Sequence, residues 1–317
     1  MVFGKVACVG AGLIGQGWAT LFSSRGLEVN LRDISEDILR RAIERVNSNL
    51  IFLEHNNLLR RGEAEAALRR IHSTTNMAEA VDGADYVQES VPDNYEAKKM
   101  VFGELDAATP RQAVLASSSS GLLMTEIQKA TRKPERCVLV HPMLPVHLMP
   151  LVEIVGGEET STQTIEATRG FMMELGKVPA VLNKEVPGFI VNRLQAALWR
   201  EAVSLVANGV ASAEDVDRAF CLGIGIRDPL LGPCLRAHIA GGGIKRFIEN
   251  YSRSYTSRWR TMETWTSMPP VAAEKIIESV KEMEVVRTRS LEEIERMRDE
   301  KLIEVLRLVT PDHPFYS

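Results

Sequence analysis

Residues 5–15 read KVACVGAGLIG, a short apolar run that leads directly into a Gly-x-Gly-x-x-Gly turn. In such a turn the first glycine, Gly10, permits the tight bend, and Gly12 lets the backbone approach a pyrophosphate. Gly15 lets the following helix pack closely on the strand. Because other tight turns also need glycine, the prediction of a dinucleotide site depends on the residues that follow.

Those residues complete the pattern. After the turn, Gln16 to Ser24 can continue as a helix, and the helix N-terminus offers free N–H groups and a positive dipole end to phosphates. Leu13 and Ile14, within the turn, are therefore candidate cofactor-binding residues as well. A second alternating run, residues 27–33, ends on Asp33, whose carboxylate would accept hydrogen bonds from the ribose hydroxyls. A 2′-phosphate would meet this carboxylate, so Asp33 favours NAD over NADP, although Arg32 beside it weakens that preference. The sequence therefore predicts NAD as the cofactor.

The composition argues against a nucleic-acid or membrane partner. The chain has 317 residues, 25% of them charged, and a formal net charge of −4. That balance gives no electrostatic attraction to nucleic acid or to an anionic membrane. No apolar run approaches the roughly 20 residues of a spanning helix. We therefore expect a small-molecule substrate.

The cysteines and the N-terminus predict a cytoplasmic protein. The four cysteines occur singly in mostly apolar contexts, without Cys-x-x-Cys spacing, so we expect buried free thiols in a reducing compartment and no metal site. The chain enters its first strand almost at once, which leaves no room for a signal peptide. The cysteines are Cys8, Cys137, Cys221 and Cys234.

Strand and helix patterns alternate over the first part of the chain and give way to helices after Pro187. This alternation is typical of a doubly wound parallel sheet. We predict an α/β fold, with a Rossmann-like NAD-binding domain over residues 1–186 and an all-helical domain over residues 187–317. A chain of this length can form two domains.

Apolar spacing and breaks at Gly, Pro and Asn place the individual elements. Residues 63–71 have a helical pattern, and Ser212 with Asp215 resembles a helix cap. The later strands of the first domain are predicted at residues 84–89, 113–117, 136–140, 151–155 and 178–182. The helices of the second domain are predicted at residues 189–208, 212–222, 235–251, 271–284 and 291–308.

Four polar side chains interrupt or follow apolar segments. Ser120 and His141 lie just past predicted strands, and the carboxyl ends of parallel strands line the ligand crevice of an open sheet. Glu153 lies inside an apolar run, where an acid is costly without a partner. Asn192 interrupts the first helix of the second domain. These residues are the candidates for chemistry.

Together the four residues could support the oxidation of an alcohol by NAD. His141 would take the hydroxyl proton, because imidazole exchanges protons near neutral pH, and Glu153 would orient the ring and stabilise its cation. Ser120 and Asn192 would hydrogen-bond the reacting oxygen, with the hydride passing to nicotinamide. Each residue alone also has a structural explanation: a His before Pro, a serine-rich loop, a solvent-facing Glu and an Asn on a helix surface are all common.

Stretches along nearly the whole chain, in family order, resemble the 3-hydroxyacyl-CoA dehydrogenase family. Within it the nearest resemblance is to the lambda-crystallin-like branch, whose members act on short free hydroxy acids. The run KEVPGFIVNRL is the most specific of these stretches, because it marks the crossing into the helical domain. The stretches are residues 9–15, 88–92, 117–122, 141–153 and 184–194.

The resemblance implies a Rossmann-like domain followed by a helical domain that usually dimerises, and hence a homodimer. The family's cofactor-contacting acid and lysine correspond to Asp93 and Lys98. One departure is Leu144, which stands where the family has an asparagine near the catalytic centre. The family's catalytic residues correspond to Ser120, His141, Glu153 and Asn192.

Arg227 matches an arginine of the lambda-crystallin-like branch. A guanidinium holds a free carboxylate bidentately, so we expect a free 3-hydroxy acid as substrate, with Arg227 as its anchor alongside Ser120 and Asn192. The alternative is that Arg227 caps or pairs on a helix surface. The resemblance favours L-gulonate, with carnitine, 3-hydroxybutyrate and a short 3-hydroxyacyl-CoA as alternatives.

Carnitine would need a site for a quaternary ammonium, and aromatic rings can supply one. An aromatic cluster in the second domain could serve, although such clusters more often form a core or a dimer interface. Two functions of another class also remain: a non-catalytic crystallin-like protein, or an NAD sensor. The cluster comprises Tyr251, Tyr255, Trp259 and Trp265.

Overall fold

The computed structural model describes residues 3–310. The chain forms two compact units, one up to Arg193 and the other from Leu194 onward. The first unit is α/β and the second is helical, which confirms the predicted fold class.

The first unit contains an eight-stranded sheet in the order β3-β2-β1-β4-β5-β6-β7-β8. All neighbours are parallel except β6 and β7, so the prediction of a wholly parallel sheet was wrong at this one pair. The connection from β6 to β7 is short and joins strand ends at the same edge of the sheet, which is possible only for antiparallel strands. The strands are β1 (Lys5–Val9), β2 (Glu28–Arg32), β3 (Ile71–Thr74), β4 (Tyr86–Glu89), β5 (Val114–Ser117), β6 (Cys137–Pro142), β7 (Leu151–Val155) and β8 (Val178–Val181).

The helix predicted over residues 63–71 is shorter in the structure, because the end of that segment belongs to strand β3. The helix ends at Leu68, and Ile71 begins a strand that pairs with Val29 of β2. Pairing with the exposed edge of β2 overrides the weak helical spacing of so short a segment. The helices of this unit are α1 (Leu13–Ser24), α2 (Glu36–His55), α3 (Glu63–Leu68), α4 (Met77–Val81), α5 (Tyr95–Ala108), α6 (Met124–Gln128) and α7 (Thr162–Glu174), with a 3₁₀ turn at Pro134–Arg136.

The strands are buried because the unit packs apolar side chains against the sheet. An aromatic cluster forms part of this core: the ring of Phe22 stacks on Trp18 and on Phe171, at centroid distances of 5.3 and 5.9 Å. Each of these side chains is almost fully buried, and burial of one large apolar side chain contributes about 1.5–3 kcal/mol. The core fixes the carboxyl edge of the sheet, where the candidate residues lie.

The second unit is a set of helices around a small apolar core. The helix predicted at residues 235–251 is two helices, because Gly242 and Gly243 have φ values of 65° and 127° that interrupt it. The cap at Ser212 is confirmed: its hydroxyl accepts a hydrogen bond from Asp215 N–H. The helices are α8 (Val191–Ala207), which begins in the first unit, α9 (Ala213–Ala219), α10 (Pro233–Gly241), α11 (Ile244–Trp259), α12 (Pro270–Lys281), α13 (Glu284–Thr288) and α14 (Leu291–Val309), with a π-helical segment at Phe220–Gly225.

The cysteines behave only partly as predicted. All four are free thiols, and Cys8 and Cys137 are buried. Cys221 and Cys234 are exposed, so the prediction that all four would be buried was wrong. Apolar neighbours in sequence do not bury a side chain on a helix whose apolar face is itself exposed. Within residues 3–310, no helix is long and apolar enough to cross a membrane.

Candidate active site

The glycines of the first turn have separable structural roles. A Cβ on Gly10 would lie 2.6 Å from the carbonyl oxygen of Ser90, and one on Gly15 would lie 1.7 Å from the carbonyl oxygen of Gly10. Both positions therefore require glycine for packing. A Cβ on Gly12 would meet nothing within 4 Å. That open space at the start of α1 is where a bound pyrophosphate can come close to the backbone.

The surroundings of this turn fit a dinucleotide. No side chain caps the N-terminus of α1, and Leu13 is 65% exposed, so backbone N–H groups at the start of the helix can bind phosphate. Asp33 follows β2, and its carboxylate accepts hydrogen bonds from Ala11 N–H and Ile34 N–H, both at 2.7 Å. These two bonds hold the carboxylate beside the glycine turn, where ribose hydroxyls can reach it.

His141 and Glu153 are brought together by the one antiparallel pair of strands. They face each other in the register of β6 and β7. His141 Nδ1–H donates to Glu153 Oε2 at 2.7 Å. Glu153 has no exposed surface and His141 is 5% exposed. This bond leaves Nε2 of the imidazole as the nitrogen that can exchange a proton with a ligand.

The second carboxylate oxygen of Glu153 is also held. Glu153 Oε1 accepts hydrogen bonds from the N–H groups of Ile190 and Val191, at 2.8 and 3.0 Å. Burial alone would raise the pKa of Glu153, but the bonds from His141 and from the two amides outweigh it and lower that pKa. The carboxylate is therefore ionised. These hydrogen bonds offset the cost of burying an acid inside an apolar strand.

The sequence singled out residues 184–194 through the resemblance, but it did not indicate that a turn in this stretch supplies amides to Glu153. Gly188 and Phe189 both have positive φ, 78° and 50°, and a bulky residue in this region is strained. Phe189 is buried, and its ring lies 5.4 Å from that of His141. The turn thus aims the two amides at Glu153 and packs against the imidazole. The Pro187-Gly188 pair was the local signal for a turn at this place.

Ser120 lies beyond the end of β5 and is held at three points. Its N–H and its Oγ–H donate to Asp93 Oδ2 at 3.1 and 2.9 Å. Its carbonyl oxygen accepts from Asn192 Nδ2 at 2.7 Å. Asp93 also accepts from Ser119 Oγ–H at 2.7 Å. Burial opposes ionisation of Asp93, but the serine bonds and the nearby Lys98 ammonium lower its pKa.

Lys98 is only 1% exposed, unlike an ordinary surface lysine. Its Nζ donates to Glu89 Oε1 at 2.8 Å and lies 3.7 Å from Asp93 Oδ1. Glu89 is fully buried at the end of β4. The sequence indicated Asp93 and Lys98 only through the resemblance, and it did not indicate Glu89 as a site residue.

The start of α8 joins the two groups of candidate residues. Val191 donates its N–H to Glu153, and the next residue, Asn192, donates its amide to Ser120. In the part of the chain that the structure describes, no hydrogen bond joins His141 directly to Ser120.

Arg227 and Leu144 lie outside these groups. Arg227 belongs to the second unit and is exposed, in the turn that follows the π-helical segment. The neighbouring Asp228 pairs with Arg236 instead, and no ion pair within residues 3–310 involves Arg227. Leu144 lies between β6 and β7 and is 50% exposed.

A glycine turn on a Rossmann-type sheet, with a buried imidazole and carboxylate at the carboxyl edge, is the arrangement of an NAD-dependent dehydrogenase. The sequence model of the 3-hydroxyacyl-CoA dehydrogenase NAD-binding domain matches residues 5–186, and that of the family's C-terminal domain matches residues 188–276. The chain belongs to the 3-hydroxyacyl-CoA dehydrogenase family.

Individual relatives agree with this membership. An L-carnitine dehydrogenase of Nocardiopsis dassonvillei is 40% identical, over 95% of this chain and 90% of the relative. Lambda-crystallin of Oryctolagus cuniculus is 36% identical, over 84% of this chain and 83% of the relative. A solved structure of an NAD-dependent 5-formyl-3-hydroxy-2-methylpyridine 4-carboxylic acid 5-dehydrogenase superposes with a TM-score of 0.82 at 28% identity, over 96% and 98% of the two chains.

Proposed function

We propose that this enzyme oxidises the 3-hydroxyl of a small free 3-hydroxy acid to the 3-keto acid, with NAD as the hydride acceptor. The observation that carries the proposal is the pair formed by His141 Nδ1 and Glu153 Oε2 at 2.7 Å. This pair leaves Nε2 of a buried imidazole as a base, next to a carboxylate that is held ionised by two backbone amides.

The proton and the hydride leave the alcohol along separate routes. His141 Nε2 takes the hydroxyl proton, and Glu153 stabilises the imidazolium that forms. When bound, NAD accepts the hydride that departs from C3, and the C3–O bond becomes a carbonyl. Ser120 and Asn192 hydrogen-bond the reacting oxygen: the Ser120 Oγ–H turns to it from Asp93, which keeps the Ser120 N–H, and Asn192 donates its second amide hydrogen. These bonds fix the alcohol relative to the imidazole.

Several residues would hold the cofactor. The backbone at Gly12, Leu13 and Ile14 would bind the pyrophosphate, with Gly10 and Gly15 shaping the turn around it. Asp33 would bind the adenosine ribose. Asp93 is 38% exposed at its side chain and can still accept a hydrogen bond from the cofactor, whereas Lys98 is buried and would act on the cofactor through Asp93.

We propose that Arg227 anchors the free carboxylate of the acid, since it is exposed and Asp228 does not pair with it. The resemblance to the lambda-crystallin-like branch makes L-gulonate one candidate. The relative named L-carnitine dehydrogenase, 40% identical over 95% of this chain, favours L-carnitine as the second. The aromatic cluster offers carnitine little, because Arg258 already lies 4.4 Å from the Tyr255 ring centre and Trp265 packs against a separate core.

The deciding experiment follows NADH formation with a panel of L-gulonate, L-carnitine, 3-hydroxybutyrate and 3-hydroxybutyryl-CoA. Arg227→Ala should lower kcat/KM for the free acid at least tenfold, because a bidentate charge-assisted contact is lost. Arg287→Ala, another exposed arginine of the second unit, is the matched control and should leave kcat/KM unchanged. An equal kcat/KM for Arg227→Ala and the parent enzyme would overturn the anchor.

The same panel separates an enzyme from a sensor or a crystallin-like protein. His141→Gln should cut turnover by orders of magnitude while NADH still binds, because the imidazole is the base and does not form the phosphate site. Binding of NADH without turnover of any panel member by the parent enzyme would contradict the proposed reaction.

We also propose that the protein is a homodimer formed through the second unit, and that it is cytoplasmic. The 16-residue helix α11 buries none of its residues, and α10 and α11 expose Ile239, Ile248 and Trp259 at 57%, 57% and 64%. An apolar surface of this kind indicates a protein interface. Light scattering should give twice the chain mass of 35.2 kDa, and Ile248→Glu should shift it to the monomer; a monomeric parent enzyme would contradict the dimer. Free thiols, two of them exposed, fit a reducing compartment.

A further inference from the structure

Glu89 is a buried acid that the proposed reaction does not use. It ends β4 and has no exposed surface. Its Oε1 accepts from Val91 N–H at 2.6 Å and its Oε2 accepts from Ser117 Oγ–H at 2.6 Å. Lys98 Nζ donates to both oxygens, at 2.8 and 3.1 Å. The two carboxylate oxygens of Glu89 thus accept four hydrogen bonds.

A buried ion pair is a poor source of stability, because desolvation of both charges offsets most of their attraction. Its position is more informative. The Lys98 ammonium also donates to the carbonyl oxygen of Val91 at 3.3 Å, and it lies 3.7 Å from Asp93 Oδ1. Lys98 is thus between two carboxylates, and it is bonded closely to Glu89 while only approaching Asp93.

Asp93 in turn holds the residue proposed to bind the reacting oxygen. Both the N–H and the Oγ–H of Ser120 donate to Asp93 Oδ2, and Ser119 Oγ–H donates to Oδ1. Lys98 faces Oδ1, which already accepts from Ser119, so a move of the ammonium onto Asp93 would draw the carboxylate towards Lys98 and away from Ser120 on Oδ2. Ser120 would then lose its support on one side.

We propose that Glu89 is a positioning residue for the reaction. Its carboxylate holds the Lys98 ammonium at a distance from Asp93, so that Asp93 keeps its hydrogen bonds to Ser120. The chain of contacts runs Glu89, Lys98, Asp93, Ser120. The proposal rests on the proposed function at one point, which is that Ser120 contacts the substrate oxygen.

The test is Glu89→Gln, which keeps the shape of the side chain and removes its charge. The Lys98 ammonium is then left with Asp93 as its nearest carboxylate, and kcat per NADH-binding site should fall about 10- to 100-fold, as displacement of a substrate-orienting group does. The double variant Glu89→Gln/Lys98→Met removes the competing cation, and its crystal structure should again show both Ser120 hydrogen bonds to Asp93.

The matched control is Asp106→Asn. Asp106 forms another buried ion pair, with Arg136 at 2.9 Å, at side-chain exposures of 7% and 6%. Arg136 precedes β6, so this pair lies at the amino edge of the sheet, away from Ser120. Asp106→Asn should lower Tm, as Glu89→Gln does, yet leave kcat per NADH-binding site unchanged. A purely structural role for Glu89 predicts the same behaviour for both variants.

Crystal structures of the parent enzyme and of Glu89→Gln provide a measurement that does not depend on activity. The proposal requires Lys98 Nζ to bond to Asp93 in the variant, and Ser120 Oγ to leave it. Retention of the Ser120–Asp93 bond in the variant, or a kcat per site within threefold of the parent value, overturns the positioning role. Absence of turnover by the parent enzyme refutes the proposed function instead, and the crystal structures then decide the role of Glu89.

Discussion

Replacement of Glu153 with glutamine tests the centre of the proposed reaction. Glu153 Oε2 accepts from His141 Nδ1–H at 2.7 Å, while Oε1 accepts from the amides of Ile190 and Val191 at 2.8 and 3.0 Å. Glutamine has the same shape, and its oxygen can still accept from the two amides. Glu153→Gln therefore removes the negative charge beside the imidazole and places an NH2 donor, instead of an acceptor, opposite His141 Nδ1.

That charge matters most after His141 has taken the proton. Two opposite unit charges about 4 Å apart attract by about 4 kcal/mol at an effective dielectric constant of about 20. Because each 1.36 kcal/mol or so is tenfold in rate, we expect kcat to fall about 10³-fold. The glutamine amide can also force His141 into the tautomer that carries its proton on Nε2, which acts in the same direction.

The assay measures kcat at saturating NAD and acid, with the Kd for NADH from fluorescence titration. The Kd should change less than threefold, because Glu153 makes no contact with the glycine turn. Glu166→Gln, an exposed acid on α7, is the control for loss of one negative charge. A kcat for Glu153→Gln within threefold of the parent value, with NADH binding intact, would refute the catalytic role of the pair.

Two other predictions concern the cofactor turn and stability. Gly15→Ala should prevent folding, since its Cβ would lie 1.7 Å from the carbonyl oxygen of Gly10. Gly12→Ala should leave Tm unchanged and weaken NADH binding at least tenfold, because its Cβ enters the open space proposed for the pyrophosphate. Calorimetry and fluorescence titration check both variants, and equal Tm values for the two would contradict the assignment. The pKa of Glu153 lies below its ordinary value of 4.5, so its contribution to stability is complete above about pH 4.5 and is lost as the pH falls through the folded-state pKa. The Tm of Glu153→Gln should therefore depend less on pH than that of the parent enzyme between pH 5 and 3, and parallel curves would contradict this linkage.

The fold was largely predictable because its signals are local. The glycine turn, the alternation of strand and helix and the cap at Ser212 depend on residues close in sequence. The errors have tertiary causes. Residue 71 joined a strand because the edge of β2 was available to it, and the helix predicted at residues 235–251 was broken by Gly242 and Gly243, whose positive φ no apolar periodicity reveals.

The sequence also indicated which polar residues to consider, but it could not pair them. Glu153 was notable as an acid in an apolar run, and His141 as a residue near a strand end. Their contact depends on β6 and β7 running antiparallel in one particular register. A shift of one residue would turn the two side chains to opposite faces of the sheet.

What the sequence by itself determined is therefore the glycine turn at Gly10, Gly12 and Gly15, the acid that follows β2 and the change from α/β to helical structure, because each of these depends on short-range patterns. Only the tertiary structure decided that Glu153 holds His141 and that Glu89 holds Lys98. Both contacts join side chains from different elements, and a buried charge takes its partner from whatever the packed chain brings within hydrogen-bonding distance.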